Sequence, residues 1–327
     1  MRTVIIVHPD FDRIWPYTAD RLSQLLQRLG HVSFIRLQQD SNSILAEVVP
    51  EPSTVTKLII LAVTVTEQDL TYFTALKEIY IGEGPYGAQP SQEIAAKLKE
   101  MGIFQYVQPS AGYWAQSVSE FALGLTIAAL RRIPQAHMEI IGNLNAWDFP
   151  LEQFSDDPNF VNGTIEGKKV RMIGAGNIAS RYASFVRFLG ADVAAWDPFA
   201  SEASFHRAGS RKEWHLEKLA HDADIFVPMV PLTPDTEGLV TAEIIRALPK
   251  GCLIILVTRA GICDTNELRR RVLADEISLA ADVFDLEPLP LHDPLLNRHN
   301  VVHTPHIAGR TKDANIRWAE MLAEQFA

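Results

Sequence analysis

Short runs of β-branched and apolar residues alternate with longer segments of helical period along almost the whole chain. Examples are the run at 3–7, the amphipathic segment at 18–29 and the run at 58–62. Parallel strands need long crossover connections, usually helices, so this alternation indicates a parallel sheet covered by helices on both faces. The pattern occurs twice, first up to about Val107 and again from Lys169. The sequence therefore predicts an α/β protein with two doubly wound parallel-sheet domains.

The boundaries of the predicted elements follow from the apolar pattern and from flanking turn residues. The predicted strands lie at 3–7, 32–35, 58–62, 78–81, 169–173, 192–196, 224–227, 253–257, 278–281 and 301–303. The clearer predicted helices lie at 18–29, 91–101, 118–132, 177–189, 242–248 and 264–273. Pro228 falls within what should be a central strand, and we expect the strand to end or kink before it because proline forfeits a ladder hydrogen bond.

Charge, cysteine content and the length of the apolar runs exclude several classes of protein. The formal net charge of −10 argues against non-specific binding to nucleic acid or to an anionic membrane surface. Cys252 and Cys263 form no Cys-x-x-Cys unit, so neither a disulfide framework nor a zinc cluster is expected. The run at 3–7 is too short for a signal peptide, and the run at 121–130 is too short to span a bilayer. We expect a cytoplasmic protein without a bound metal.

The predicted strand at 169–173 leads into Gly174-Ala-Gly176-Asn177-Ile178-Ala179 and then into a helix. A dinucleotide site needs this strand–turn–helix arrangement. The first glycine allows the tight turn, the second lets the backbone approach the pyrophosphate, and the alanine permits close helix packing. The helix N-terminus then offers N–H groups to the phosphates. The motif predicts a Rossmann dinucleotide-binding domain.

Asp197 ends the next predicted strand, about 20 residues after the glycines. Its carboxylate can accept hydrogen bonds from the adenosine ribose and would repel a 2′-phosphate, so Asp197 favours NAD over NADP. Arg207 and Arg211 lie downstream and leave the strictness of that preference open. A structural role in the Asp197-Pro198 turn is the alternative.

Several further blocks follow one another at a characteristic spacing. They are Ser117-Val-Ser-Glu-Phe-Ala-Leu-Gly, Pro231-Leu-Thr-Pro-Asp-Thr-Glu-Gly-Leu, Thr258-Arg-Ala-Gly, Asp282-Val-Phe-Asp-Leu-Glu-Pro-Leu-Pro and His303-Thr-Pro-His-Ile-Ala-Gly. Together with the glycine motif, they make the chain resemble the D-isomer-specific 2-hydroxyacid dehydrogenase family over nearly its whole length.

The resemblance implies that Arg259, Glu287 and His306 are catalytic. A forked, permanently charged guanidinium suits a substrate carboxylate and can polarise the neighbouring keto oxygen. Histidine is the side chain that exchanges protons near neutral pH, and the glutamate would orient its imidazole and favour the charged form. Outside the family's own flanking residues, each of these side chains would more often be structural.

The resemblance also extends the cofactor and substrate sites. It implies that Pro231 and Thr236 lie near the cofactor's ribose and phosphates, and that Asp282 and Gly309 lie on the nicotinamide side. Val257, at the end of a predicted strand, is a further expected cofactor contact.

A glycine-bearing loop of the first domain receives the substrate carboxylate in the family. The matching segment here is Ile81-Gly-Glu83-Gly84-Pro85-Tyr-Gly. Glu83 and Gly84 are the candidate substrate-binding residues, although Glu83 would repel an anion if it pointed inward and Pro85 offers no N–H. Members also usually carry Gly after the catalytic arginine and Asn three positions before it. The corresponding residues here are Ala260 and Leu256.

From these features we expect two domains with a cleft between them. One is a discontinuous, flavodoxin-like substrate domain at 1–116 plus 305–327, and the other is the dinucleotide-binding domain at 117–304. The stretch at 143–163 is a predicted linker or an arm over a partner subunit, and the resemblance implies a homodimer. The expected activity is hydride transfer between NAD(H) and a small D-2-hydroxy acid or its keto form.

Two other readings of the same pattern remain open. One is an NADH-responsive interaction protein of the corepressor type, against which the lack of a basic or extended tail counts. The other is oxidation of another small anion, such as formate or phosphite. Formate oxidation would call for glutamine beside the histidine, where this chain has Glu287.

Overall fold

The computed structural model describes residues 2–40, 45–84, 86–108, 112–144, 147 and 156–327. Contacts divide the chain into two compact units, which we call unit 1 (Met1–Tyr113 with Arg310–Ala327) and unit 2 (Trp114–Gly309). Each unit contains one parallel sheet with helices, so the predicted α/β class is confirmed. Much of the predicted arm at 143–163 lies outside the described residues.

The elements follow one another in the expected alternation. The strands are β1 (Arg2–Val7), β2 (His31–Arg36), β3 (Lys57–Leu61), β4 (Glu78–Gly82), β5 (Phe104–Tyr106), β6 (Lys169–Ile173), β7 (Asp192–Trp196), β8 (Arg211–Lys212), β9 (Ile225–Pro228), β10 (Leu253–Leu256), β11 (Ser278–Ala281) and β12 (Val301–His303). The helices are α1 (Pro9–Ile14), α2 (Thr18–Gln27), α3 (Leu45–Val48), α4 (Glu67–Thr71), α5 (Gln92–Glu100), α6 (Ala115–Leu130), α7 (Ile133–Gly142), α8 (Asn177–Phe188), α9 (Glu202–Ala208), α10 (Leu216–Ala220), α11 (Ala242–Ala247), α12 (Thr265–Leu273) and α13 (Lys312–Gln325). No helix in the described part of the chain is both long and apolar enough to cross a membrane.

Unit 1 is built on a five-stranded sheet of order β2-β1-β3-β4-β5, the strand order of flavodoxin-like folds. The last helix of the chain, α13, returns to this unit and packs against α2. The buried Thr18 hydroxyl donates to the side-chain oxygen of Asn315 at 3.1 Å. Trp318 of α13 is fully buried and stacks on Tyr113, with 4.3 Å between ring centroids. The C-terminal segment is thus part of the core of unit 1.

Unit 2 is built on a seven-stranded sheet of order β8-β7-β6-β9-β10-β11-β12. This is the Rossmann order extended by one strand, and its direction of winding reverses between β6 and β9. Apolar clusters cover both faces of the sheet, one against α6 and α8 and the other against α10, α11 and α12. Burial on both faces explains why β9 and β10 read as continuous apolar runs.

The expectation that β9 ends or kinks before Pro228 is wrong. Pro228 is the last residue of β9 and pairs with Ile173 of β6. The next N–H, that of Met229, donates to the Ile173 carbonyl at 2.7 Å, so the proline ring nitrogen faces the opposite side. On that side β10 pairs with Ile225 and Phe226, and the register ends before Pro228. The proline is tolerated because the donor that it lacks falls beyond the β10 ladder.

Candidate active site

The carboxyl ends of six strands of unit 2 meet at one edge of the sheet, which we call the carboxyl edge. Each of these strands is followed within three residues by a residue that the sequence singled out. They are Gly174 after β6, Asp197 after β7, Pro231 after β9, Arg259 after β10, Asp282 after β11 and His306 after β12. Ligands of open α/β sheets bind at this edge, beside the point where the strand order reverses. The fold therefore gathers residues from a stretch of 133 positions, Gly174 to His306, into one region.

The glycine turn after β6 has the geometry that a dinucleotide requires. Gly174 has φ +103°, and an added Cβ would lie 2.5 Å from the carbonyl oxygen of Met229. Only glycine fits there. Gly176 is the N-cap of α8, and an added Cβ would have no heavy atom within 4 Å. Its backbone thus faces open space at a helix N-terminus, where a pyrophosphate can approach closely. Asn177 begins α8, and Ile178 packs partly into the core below it.

Asp197 fixes the glycine turn to the end of β7. One carboxylate oxygen accepts the N–H of Ala175 at 2.8 Å, and the other accepts those of Phe199 and Ala200 at 2.9 and 3.0 Å. A carboxylate has about four acceptor positions. Since these bonds occupy three of them, Asp197 retains capacity to accept a ribose hydroxyl while it shapes the turn.

The other predicted cofactor residues lie nearby but play visible structural roles. The Thr236 hydroxyl donates to the Pro231 carbonyl and accepts the Thr233 N–H, which closes the turn after β9. Val257 is 4% exposed and belongs to the core. An added Cβ at Gly309 would lie 3.5 Å from Trp114 Cβ, an ordinary contact.

The three predicted catalytic side chains line one open pocket of about 640 Å³. His306 Nδ1 lies 2.6 Å from Glu287 Oε2, and Glu287 Oε1 accepts the Phe284 N–H at 2.8 Å. Arg259 donates to the carbonyl of Thr258 at 2.7 Å. A histidine paired to a carboxylate beside a permanent cation can exchange a proton with a bound anion.

Ala260, where the family usually has glycine, begins a single 3-10 turn over Ala260–Ile262. Its φ lies outside the left-handed region, so the position needs no glycine. Leu256, where the family usually has asparagine, is 2% exposed and packs in the core. Neither departure disturbs the placement of Arg259 in the pocket wall.

Asp282 shapes the backbone around His306. It is fully buried, and its carboxylate accepts the Thr304 hydroxyl at 2.6 Å and the N–H groups of Ile307 and Ala308 at 2.9 and 2.8 Å. His306 itself has φ +54°, a left-handed conformation that costs a non-glycine residue about 1–2 kcal/mol. The three bonds to Asp282 stabilise that conformation, a role that the sequence did not indicate.

The rest of the pocket wall includes residues that the sequence analysis did not select. Leu232, Cys263, Asp264 and Asp285 all contribute to it. Burial raises the pKa of the Cys263 thiol to about 12, with Asp264 adding to the effect, so this cysteine is a neutral wall residue. Apart from Leu232, these residues lie within five positions of Arg259 or Glu287, and this closeness in sequence was the signal that could have identified them. Nowhere in the described residues do three or more His, Cys, Asp or Glu side chains form a group able to hold a metal.

The candidate substrate loop lies in unit 1, at the end of β4. The Glu83 N–H donates to the Ala88 carbonyl at 2.8 Å, and the Ala88 N–H returns to the Glu83 carbonyl at 2.7 Å. Gly84 has φ +61° and accepts the Gly87 N–H at 3.2 Å. The Glu83 N–H is therefore engaged within the loop. Pro85 lies outside the described residues.

A family model described as "D-isomer specific 2-hydroxyacid dehydrogenase, NAD binding domain" matches residues 123–308, more than half of the chain. This chain is a member of the D-isomer specific 2-hydroxyacid dehydrogenase family. The matched residues make up nearly all of unit 2, and NAD is the cofactor of this unit.

The sequence identity between this chain and individual relatives is low. The chain is 34% identical over 226 residues to a glyoxylate reductase from Thermofilum pendens, covering 67% of this chain and 63% of the relative. It is 28% identical over 302 residues to a D-3-phosphoglycerate dehydrogenase from Bacillus subtilis, covering 92% and 54%. The chain thus spans less than two thirds of the length of these curated relatives.

Solved structures show that the fold is shared across the family. The D-isomer specific 2-hydroxyacid dehydrogenase from Lactobacillus delbrueckii ssp. bulgaricus, in its NAD complexed form, superposes with a TM-score of 0.75. It is 17% identical and the match covers 100% of this chain and 96% of that one.

Proposed function

We propose that this chain is an NAD-dependent dehydrogenase that interconverts a small 2-keto acid and the corresponding D-2-hydroxy acid. The observation that carries the proposal is the pair formed by His306 and Glu287, 2.6 Å apart, in the wall of the pocket that also contains Arg259. The relatives named as a glyoxylate reductase and a D-3-phosphoglycerate dehydrogenase support the reaction class.

Each of the three side chains has one task in this proposal. Because Nδ1 of His306 faces Glu287, the opposite ring nitrogen, Nε2, donates the proton to the keto oxygen during reduction and takes it back during oxidation. Glu287 fixes the ring and stabilises the imidazolium. Arg259 binds the substrate carboxylate and polarises the carbonyl. Bound NAD(H) supplies or accepts the hydride at its nicotinamide ring.

The remaining assignments extend this proposal to cofactor and substrate binding. Gly174, Gly176 and the start of α8 hold the pyrophosphate, and Asp197 accepts from the ribose. Glu83 and Gly84 are proposed substrate-binding residues, and the Glu83 N–H already donates to the Ala88 carbonyl. Cys252 and Cys263 are free and buried, as expected in a reducing compartment, so the proposal includes a cytoplasmic location.

A homodimer is also part of the proposal. Helix α7 has no buried residue although it is rich in apolar side chains, and Ile133, Met138 and Ile141 are 51%, 64% and 66% exposed. An apolar surface of this kind usually marks a protein interface. Light scattering should give about twice the chain mass, and Ile141→Asp should shift it toward the monomer. A monomeric wild type would contradict the dimer.

The enzymatic proposal is tested by a spectrophotometric screen. The protein is mixed with NADH, and separately NADPH, and with glyoxylate, hydroxypyruvate, pyruvate, phenylpyruvate, 2-ketoisocaproate or oxaloacetate. We expect loss of the reduced-nicotinamide absorbance with at least one of them, preferentially with NADH, and loss of that activity in His306→Asn and Arg259→Met. If NADH binds but every keto acid is inert, the proposed activity is wrong.

A further inference from the structure

The segment that carries Glu287 has few means of holding its shape. It covers residues 284–292, between β11 and the buried Asp293. All nine residues are described, and none of them is buried. Glu287 must nevertheless keep its carboxylate 2.6 Å from His306 Nδ1. Phe284 packs partly against the apolar cluster on the α10–α12 face, and the rest of the segment depends on polar contacts for its position.

Arg269 of α12 supplies such contacts at both ends of the segment. Its Nη1 donates to Asp285 Oδ1 at 3.1 Å, and its Nη2 donates to Asp293 Oδ2. The planar, forked guanidinium is suited to joining two carboxylates in a fixed geometry. Asp285 lies two residues before Glu287, so the contact reaches close to the catalytic carboxylate. Arg269 itself is not among the described residues that line the pocket.

The Asp293 end of this bridge is firmly anchored. The Asp293 side chain is 6% exposed, and its second oxygen accepts the Leu295 N–H at 2.9 Å. Burial opposes ionisation, but the Leu295 N–H and the Arg269 guanidinium together lower the pKa of Asp293 below its usual value. The bridge is therefore charged at neutral pH, and on the Asp293 side it is largely shielded from solvent.

We propose that Arg269 is a positioning residue for the acid–base pair, because it ties Asp285 to Asp293 and thereby aims Glu287 at His306. The inference rests on the proposed function and deepens it. Without the bridge, the 284–292 segment samples positions in which the carboxylate is farther from the imidazole. His306 then loses part of the stabilisation of its protonated form.

The test compares Arg269→Met with Arg270→Met. Arg270 is the next residue of the same helix and pairs with Glu267 and Glu276, away from the segment. We expect Arg269→Met to lower kcat for keto-acid reduction about 3- to 10-fold, part of the ~100- to 10,000-fold that acid–base catalysis contributes. Arg270→Met should leave kcat unchanged. NADH affinity should stay within about twofold in both variants, since no hydrogen bond or ion pair of either arginine involves the glycine turn.

The pH profile separates positioning from a purely structural role. The charged side chains that share the pocket with His306 are Glu237, Arg259, Asp264, Asp285 and Glu287. Of these, Glu287 contacts the ring, so its displacement should move the alkaline limb of the reduction profile to lower pH. Arg269→Lys keeps the charge but not the forked geometry. The alkaline limb of its pH profile should lie between those of wild type and Arg269→Met.

Two results would overturn the inference. One is a lower Tm in Arg269→Met with kcat and the pH profile unchanged. The other is an NMR titration of the His306 ring that is the same in wild type and Arg269→Met. The second measurement needs no substrate. If the wild type reduces none of the keto acids, the proposed function fails, and the titration still decides whether Arg269 positions the pair.

Discussion

Strand β12 is flanked by two histidine–carboxylate pairs that look alike in chemical terms. His299, just before the strand, has Nε2 2.9 Å from Asp275 Oδ1, and His306, just after it, has Nδ1 2.6 Å from Glu287 Oε2. The surroundings differ. A cavity of about 20 Å³ adjoins His299, enough for about one water molecule, whereas His306 faces a pocket of about 640 Å³. A histidine beside a carboxylate therefore indicates catalysis only where a substrate has room.

The two edges of the seven-stranded sheet also differ in how their charged side chains are paired. We call the edge where the strands begin the amino edge. At the amino edge, the buried Arg171 guanidinium bonds to both carboxylate oxygens of Asp222 at 2.8 Å and to Asp192 at 2.9 Å. At the carboxyl edge, Asp197 and Asp282 instead accept mainly backbone N–H groups. Charges at the amino edge neutralise one another, while those at the carboxyl edge shape loops. Arg259 and His306 line the pocket at the carboxyl edge.

The sharpest test of this comparison makes the same substitution at both ends of β12. His306→Asn should lower the rate of keto-acid reduction about 100- to 10,000-fold, because it removes the proposed acid–base group. Asparagine tolerates the left-handed backbone of position 306, so Tm should change little. His299→Asn serves as the control and should leave kcat and KM unchanged. An equal loss of reduction rate in the two variants would show that the carboxyl and amino edges do not differ in function.

The amino edge should respond through stability. Replacing both Asp192 and Asp222 by Asn leaves the Arg171 guanidinium, whose side chain is 3% exposed, without a carboxylate. Leaving this buried guanidinium without a carboxylate partner costs about 1–3 kcal/mol of unfolding free energy, measurable by urea denaturation. Arg171→Met should lower the free energy of unfolding by less, because the carboxylates of Asp192 and Asp222 are about half exposed and remain solvated. A kcat of the folded double variant well below that of wild type would contradict the assignment of this edge to stability.

The two glycines of the motif should separate folding from binding at the carboxyl edge. Gly174→Ala places a methyl group against the Met229 carbonyl at positive φ, and we expect a loss of about 2–4 kcal/mol of stability. Gly176→Ala adds its methyl group in open space, so its Tm should stay near that of wild type. NADH binding should weaken about tenfold or more in Gly176→Ala, because the methyl group keeps the pyrophosphate away from the backbone. Unchanged NADH affinity in Gly176→Ala would contradict a pyrophosphate site at this turn.

The smallest expected effect is the acid sensitivity of the amino edge. The Arg171 guanidinium, assisted by Lys169 and opposed by burial, lowers the pKa of Asp222 to about 2. The unfolded chain binds this proton near pH 3.8, so the ion pair contributes its full stability only well above that value. The contribution declines as the pH falls from about 5 toward 2. The Tm of wild type should therefore fall more steeply over this range than that of Arg171→Met, and parallel curves would contradict the assignment.

The amino-acid sequence was enough to predict the elements that have strong periodic patterns. The boundaries of β6, β7, β11 and β12 agree with the predicted ranges, because apolar strands buried on both faces stand out from their neighbours. The glycine motif and the family's blocks also pointed to the residues that now lie at the carboxyl edge. Short elements such as β8, with two residues, and α7, with no buried face, leave little local signal and were missed.

How the candidate residues act on one another depends on the folded arrangement of the chain. Asp282 holds the backbone around His306, and Arg269 joins Asp285 to Asp293. Both arrangements depend on contacts between residues 16 to 26 positions apart in sequence. No local pattern encodes such pairs, because a hydrogen bond depends on distance and direction in space. The sequence thus pointed to the candidate residues for the chemistry. The packing of strands and helices decided which of them face the pocket and which hold the others in place.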